Sequence, residues 1–179
     1  PASVVRDEPA LRRRVDWVMR EHQQEALVEE FIEGRELTAG VLGETVLPVL
    51  EIDFSTCRAP GEFFYSWRMK EFQGNEALGL TPTLRCPAPL DAATTTRVQE
   101  VVLRAHRVLG CRDLSRTDVR LSPDGTPHIL EVNPLPGLSP LDGNFPVLAR
   151  AAGISHEALI QRIVALASAR RAAAGKAAR

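Results

Sequence analysis

The 179-residue chain carries 22 Lys and Arg against 23 Asp and Glu, and its formal net charge of −1 gives no electrostatic reason to expect a nucleic-acid partner. Its three cysteines, Cys57, Cys86 and Cys111, are odd in number and contain no CxxC pair, so they indicate neither a disulfide framework nor a zinc site, and a reducing cytoplasm is the expected compartment. No apolar run approaches the ~20 residues of a membrane span, no basic-then-apolar leader opens the chain, and the length suits one domain or a large part of a bigger one.

Over residues 9–24 the apolar residues Leu11, Val15, Val18 and Met19 recur on one side of a charged helix, with Asp7 and Glu8 ahead of it. The segments ALVEEFI at 26–32, ELTAGVL at 36–42 and TVLPVLEID at 45–53 are rich in apolar and β-branched residues and are broken at Gly34 and Gly43. They read as three sequential antiparallel strands. Between residues 54 and 89 the pattern dissolves into Gly, Pro and polar residues around Phe63, Phe64, Tyr65 and Trp67, and a loop of that length suits a lid over an active site. Asp91 opens a helix whose buried side is expected to carry Val98, Val101, Val102, Ala105, Val108 and Leu109, with Gly110 as its C-terminal cap.

The most informative stretch follows, RTDVRLSPDGTPHILEVNPLPG at 116–137. If residues 116–121 and 128–133 are antiparallel strands closed around Pro-Asp-Gly, Asp118 faces Glu131 and Arg116 faces Asn133. Directly opposed Cβ atoms lie only ~5 Å apart, so two carboxylates there repel unless a cation sits between them. The period of two leaves Arg116, Asp118, Glu131 and Asn133 on one face, and Thr117, Val119, Leu121, Leu130 and Val132, with His128, on the other. The candidate ligands Asp118, Glu131 and Asn133 are all oxygen donors, which favours Mg2+ or Mn2+ completed by phosphate oxygens. Two such ions bridged by Glu131, with Asp118 on one and Asn133 on the other, would clamp a nucleoside triphosphate for phosphoryl transfer. The alternative is a solvated face in which Asp118 merely pairs with Arg116 or Arg120.

Beyond the hairpin, residues 145–152 read as a short helix, and Ser155 caps a last helix with Ile154 and Leu159 spaced as a hydrophobic staple. The ending RRAAAGKAAR is basic, so a domain over 1–170 and a disordered tail over 171–179 are expected.

Taken in order, LVEEFIEGREL at 27–37, LPVLEID at 47–53, Lys70, CPAPL at 86–90, RTDVRL at 116–121, EVNPLPG at 131–137 and AAGIS at 151–155 resemble the ATP-grasp ligases, and among them the D-alanine–D-alanine ligases. The resemblance implies an α+β fold of mainly antiparallel sheets with flanking helices, the C-terminal part of an ATP-grasp enzyme. It implies that Glu29, Glu30 and Ile32 belong to the segment whose backbone bonds the adenine edge, that Glu36 takes the ribose hydroxyls, that Phe64 lies near the nucleotide and that Leu130 lies against adenine. Lys70 would reach the transferred phosphoryl group, and Asp118, Glu131 and Asn133 would be the ligands of two Mg2+ or Mn2+ ions. The reaction implied moves the γ-phosphoryl group of ATP to a carboxylate, and an amine then attacks the acyl phosphate to form an amide bond. Arg116 would stabilise the acyl phosphate and the tetrahedral intermediate, with a backbone N–H of Gly137 near the oxyanion.

Departures from that pattern bear on substrate. Where the D-alanine enzymes use a Ser to hold the carboxylate of the second substrate, this chain offers Asp142 or Gly143, depending on where a one-residue gap falls. Glu71 and Trp67 stand where tyrosines are common in those enzymes. The glycine-rich phosphate loop, two further lysines and the domain that binds the first substrate are not in the sequence, which starts at Pro1 and reads as an excised or processed piece. Expected partners are therefore ATP, amino-acid substrates, an N-terminal region supplied in cis or as a separate chain, and a second copy in a homodimer. Nucleic acid and membrane are not among them. A ligase joining other amino acids and a non-catalytic nucleotide-binding module stand as the alternatives; the chain alone is expected to bind nucleotide weakly and not to turn over.

Overall fold

The computed structural model describes residues 3–58, 64–66, 69, 78–141 and 143–177. A six-stranded antiparallel sheet is built from β1 (Arg35–Leu42), β2 (Thr45–Val46), β3 (Leu50–Asp53), β4 (Thr83–Arg85), β5 (Leu114–Leu121) and β6 (Pro127–Asn133). The path across it is β4-β3-β1-β5-β6, with β2 also on β1. Helices α1 (Glu8–His22), α2 (Ala92–Val108), α3 (Asn144–Ala151) and α4 (His156–Ala177) flank the sheet. The expected α+β class with a mainly antiparallel sheet is thus what the chain adopts. Among the described residues no helix is long and apolar enough to cross a membrane.

The strand expected at 26–32 does not form. That segment runs without ladder pairing, because both edges of β1 are already taken, one by β2 and β3 and the other by β5 along its whole length. A run carrying Glu29, Glu30 and Glu33 also gains little from a sheet interior. The stretch at 45–53 divides into β2 and β3 around Pro48, which has no N–H to give a ladder. Within the expected loop at 54–89 the edge strand β4 pairs with β3, and a 3-10 turn spans Phe54–Thr56. Residues 59–63, 67, 68 and 70–77, with Phe63, Trp67, Lys70 and Glu71 among them, lie outside the described residues, as does Asp142.

Alternation along β1 gives the sheet two different faces. Leu37, Ala39 and Val41, with Val119 and Leu121 of β5, pack against Val98 and Val102 of α2. The other face carries Glu36, Thr38 and Gly40, paired across β5 with Arg120, Asp118 and Arg116 in that order. At Gly40 a Cβ would stand 2.7 Å from Phe145 Cε2 and 3.1 Å from Leu148 Cδ1, so the missing side chain is what lets α3 lie on the strand. Phe145 and Leu148 join Leu50, Ile52, Leu114 and Leu159 in a second core there. Helix α3 therefore covers one half of this face, and the polar half holding Glu36, Thr38, Asp118 and Arg120 is left for a site.

The flanking helices begin and end where local chemistry directs. Asp7 caps α1 by accepting from the N–H of Ala10 at 2.7 Å, and Asp91 caps α2 by accepting from the N–H of Thr94 at 2.8 Å. Helix α2 closes with Gly110 N–H on the Arg107 carbonyl and Cys111 N–H on the His106 carbonyl, the Schellman pattern. Its buried stripe is Thr94, Val98, Val102 and His106. Val108 and Leu109, expected inside, are 76% and 63% exposed, because the i, i+4 stripe brings His106 to the sheet and the helix stops before another turn inward. Ser155 caps α4 through the N–H of Ala158, with Ile154 and Leu159 buried in one core as the staple spacing predicts. Helix α4 continues over residues 171–177, where the sequence led to the expectation of a frayed tail.

Candidate functional site

The hairpin of β5 and β6 holds the expected pairing at its open end: Asp118 faces Glu131 and Arg116 faces Asn133. Toward the turn the register shifts between Asp118 and Val119, so that Val119 faces Ile129 and Arg120 faces His128. Leu130 is the additional residue of this bulge. It was expected on the core face by alternation, but the bulge turns it outward, 51% exposed. Leu130 then lines a cavity of about 560 Å³, together with Asp118 and Glu131 from the hairpin and Glu36 from β1.

The 26–32 segment, which lies outside the sheet, supplies a further wall, with Glu29, Glu30 and Ile32 lining the same cavity as Phe64 and Tyr65. Leu11, Val15 and Val18 of α1 close a further side, which explains the apolar stripe of a helix that buries no residue fully. At Gly34 the chain turns at φ 137°, and a Cβ would meet the carbonyl oxygen of Leu121 at 2.0 Å, so only glycine lets the segment cross so near the end of β5.

At one end of the cavity lie the opposed carboxylates, and the cation between them is Arg116. Its Nε and Nη2 donate to the two Asp118 oxygens at 2.9 Å each, and Nη2 stands 3.4 Å from Glu131 Oε1. The hydroxyl of Thr38 donates to Asp118 Oδ1 at 2.7 Å. Burial pushes the Asp118 carboxyl up, but the Arg116 fork, its charge and the Thr38 bond outweigh it and leave the group below the ordinary carboxylate range. Asn133 Oδ1 accepts the N–H of Leu135 at 3.1 Å, an Asx turn at the strand exit. The Arg116–Asp118 pairing left open by the sequence is thus present. Among the described residues no group of three or more His, Cys, Asp and Glu forms a cage for a metal. Asp118, Glu131 and Asn133 nonetheless present oxygen donors only, a set that suits Mg2+ or Mn2+ when phosphate oxygens fill the remaining positions.

Two residues along β1 from Thr38, Glu36 is buried in a pair with Arg120, Nη2 to Oε2 at 3.3 Å, and accepts the N–H of Tyr65 at 3.1 Å. Arg120 had been weighed only as a partner of Asp118. Thr38, Arg120 and the Tyr65 N–H are the site groups sequence reasoning missed; alternation would have placed Thr38 beside Glu36, but its contact with Asp118 depends on a register set 80 residues away. Gly137 and Gly143 do not line the cavity. Gly143 begins α3, and a Cβ on it would meet the carbonyl oxygens of Ser139 and Gly137 at 2.7 and 2.9 Å. Lys70 and Asp142 fall outside the described residues.

A mostly antiparallel sheet with helices on its faces and a carboxylate-ended cavity at one edge is the C-terminal part of an ATP-grasp fold. The solved D-alanine–D-alanine ligase of Bacillus anthracis complexed with ATP overlays it with a TM-score of 0.72 at 27% identity, covering 93% of this chain and 49% of that one. The chain belongs to the family described as "D-ala D-ala ligase C-terminus", whose model matches residues 2–165. It is 43% identical over 145 residues to the D-alanine–D-alanine ligase of Nitratidesulfovibrio vulgaris (strain DP4), and 40% identical over 146 residues to that of Nitrosomonas europaea. These alignments cover 81% and 82% of this chain but 44% of each relative, so the chain spans less than half the length of the curated relatives it matches.

Proposed function

We propose that this chain is the ATP-binding part of an ATP-dependent carboxylate–amine ligase that forms a dipeptide bond between D-alanine units through an acyl phosphate. The observation that carries the reading is the cavity itself. Its lining brings together a buried carboxylate, Glu36, an outward-turned Leu130 and the opposed pair Asp118 and Glu131, groups suited to a ribose, a base and metal-bound phosphates. The backbone of Glu29, Glu30 and Ile32 would take the adenine edge, with Phe64 beside the nucleotide, and Leu130 would pack on the base.

Asp118, Glu131 and Asn133 would hold Mg2+ or Mn2+, which when bound neutralises phosphate charge and aligns the γ-phosphoryl group. Thr38 keeps Asp118 aimed across the strand, and the low position of its carboxyl keeps it ionised near neutral pH. Arg116, held here by both carboxylates, is a fixed planar cation suited to an acyl phosphate and an oxyanion. Lys70 and the N–H of Gly137 are proposed to serve the transferred phosphoryl group and the oxyanion. An N-terminal region bearing the phosphate loop, in cis or as a partner chain, would complete the enzyme, and the cytoplasm is the proposed compartment.

A second reading, a ligase of the same reaction for another amino acid, is favoured by Gly143. With the Ser139 and Gly137 carbonyl oxygens 2.7 and 2.9 Å from where a Cβ would stand, the start of α3 has no room for a serine-like side chain at that position. The amine acceptor would then depend on Asp142 and its surroundings. ATP-dependent phosphate release by the complete protein decides between the readings: under the first it requires D-alanine, and release triggered only by a different amino acid contradicts it and supports the second.

A further inference from the structure

The most deeply buried ion pair bordering the cavity is Glu36 with Arg120, whose side chains are 9% and 5% exposed. The two residues are directly opposed across β1 and β5, so the pair is built into the sheet register. From that position the guanidinium reaches further. Nη1 donates to the carbonyl of Gly34 at 3.3 Å, and the guanidinium carbon stands 5.3 Å from the centre of the Phe31 ring. Phe31 in turn meets Phe64 edge-on, with ring centres 6.5 Å apart. One side chain therefore ties together the carboxylate of β1, the end of the 26–34 segment and the aromatic pair beside the cavity.

Net stability is a weak reason for such a pair. Desolvating two such ions costs several kcal/mol, and a well-packed apolar residue of similar volume is commonly as stable or more so. What the pair does provide is a charged carboxylate in one orientation, since a buried carboxylate that loses its cation turns to solvent or takes up a proton. An ionised, oriented carboxylate is acceptor-only and takes two hydroxyl donors without presenting a competing O–H.

We infer that Arg120 is a positioning residue for the sugar of the nucleotide, holding the Glu36 carboxylate so that the ribose hydroxyls depend on it more than the base or phosphates do. The inference rests on the proposed ATP site and adds the discrimination of ribose from deoxyribose.

The test is equilibrium binding of ATP and 2′-deoxy-ATP, each with Mg2+, to the full-length protein and to its Arg120→Met, Arg120→Lys and Glu36→Gln variants. The unsubstituted protein should prefer ATP by ~10-fold, as expected for hydrogen bonds to a charged group. Arg120→Met should bring the two nucleotides within about threefold of each other by weakening ATP more than 2′-deoxy-ATP, and Glu36→Gln should do the same. Arg120→Lys keeps the charge and guards against a Met variant that does not fold; it should retain a preference between the two. Equal weakening of both nucleotides by Arg120→Met, with Arg120→Lys like the unsubstituted protein, assigns Arg120 a structural role and overturns the inference. An intact preference in Arg120→Met overturns it as well. Absence of ATP binding by the unsubstituted protein is the separate outcome that refutes the ATP site, and this inference with it.

Discussion

Two carboxylates on one hairpin face are a demand for a cation, and Arg116 meets it. Removing that side chain leaves Asp118, only 16% exposed, with its negative charge and Glu131 opposite, so Arg116→Ala should destabilise the protein by about 3 kcal/mol in metal-free buffer. On the proposed metal role, Mg2+ should raise the melting temperature of that variant more than that of the unsubstituted protein, because the carboxylates are no longer held by the guanidinium; thermal melts with and without Mg2+ check both statements. The Asp118 carboxyl also carries a pH signature. Burial raises it, but the fork to Arg116 and the Thr38 hydroxyl bring it below its ordinary value, so folding favours the ionised form. Its contribution is therefore complete above the unfolded value of about 4 and is lost as pH falls through the lower folded value. Denaturant unfolding between pH 6 and 3 should show a shallower acid loss in Asp118→Asn than in the unsubstituted protein.

The elements were legible where local chemistry decides them and not where partners do. Caps at Asp91 and Ser155, the Gly110 exit and the hairpin pairing of Asp118 with Glu131 all follow from short-range pattern. The apolar 26–32 segment looked like a strand because pattern reports preference and not whether the neighbouring strand, here β1, still has an open side. Leu130 was placed inward for a related reason: a bulge is a property of two strands together, and it moved the one residue whose outward position the cavity needs. His106 was overlooked as a core residue, yet its ring nitrogen lies 2.7 Å from the Ser115 hydroxyl where α2 meets the sheet. Burial lowers its imidazole, with Glu44 and Asp113 opposing and Arg107 reinforcing the shift. A histidine kept neutral in the fold stabilises above its unfolded value of about 6.5 and progressively less as pH falls below it. His106→Gln should flatten the pH dependence of stability between pH 7 and 5. Helix α3 gives a steric counterpart: Gly40→Ala drives a methyl against the fully buried Phe145 ring and should cost about 1–3 kcal/mol, read as a lower unfolding midpoint.

On the scale of the molecule, one sheet face is divided between support and function. Gly40 admits α3 over half of it, and the other half is walled by α1 and the 26–32 segment, so the same strands that form the core also fix the spacing between Glu36 and the Asp118–Glu131 pair. The sequence order of motifs anticipated the family and the residues along this line. It did not reveal Thr38 or the partner of Arg120, because both depend on the register of β1 against β5. The central claim is that this cavity holds the nucleotide lengthwise, sugar at Glu36 and phosphates at the hairpin. A crystal structure of the protein with Mg2+ and a non-hydrolysable ATP analogue tests it most directly. The account predicts the base against Leu130, the ribose at Glu36, and metal ions coordinated by Asp118, Glu131 and Asn133 with Arg116 withdrawn from Asp118. A nucleotide bound elsewhere, or an Arg116–Asp118 fork unchanged beside bound phosphates, would contradict it.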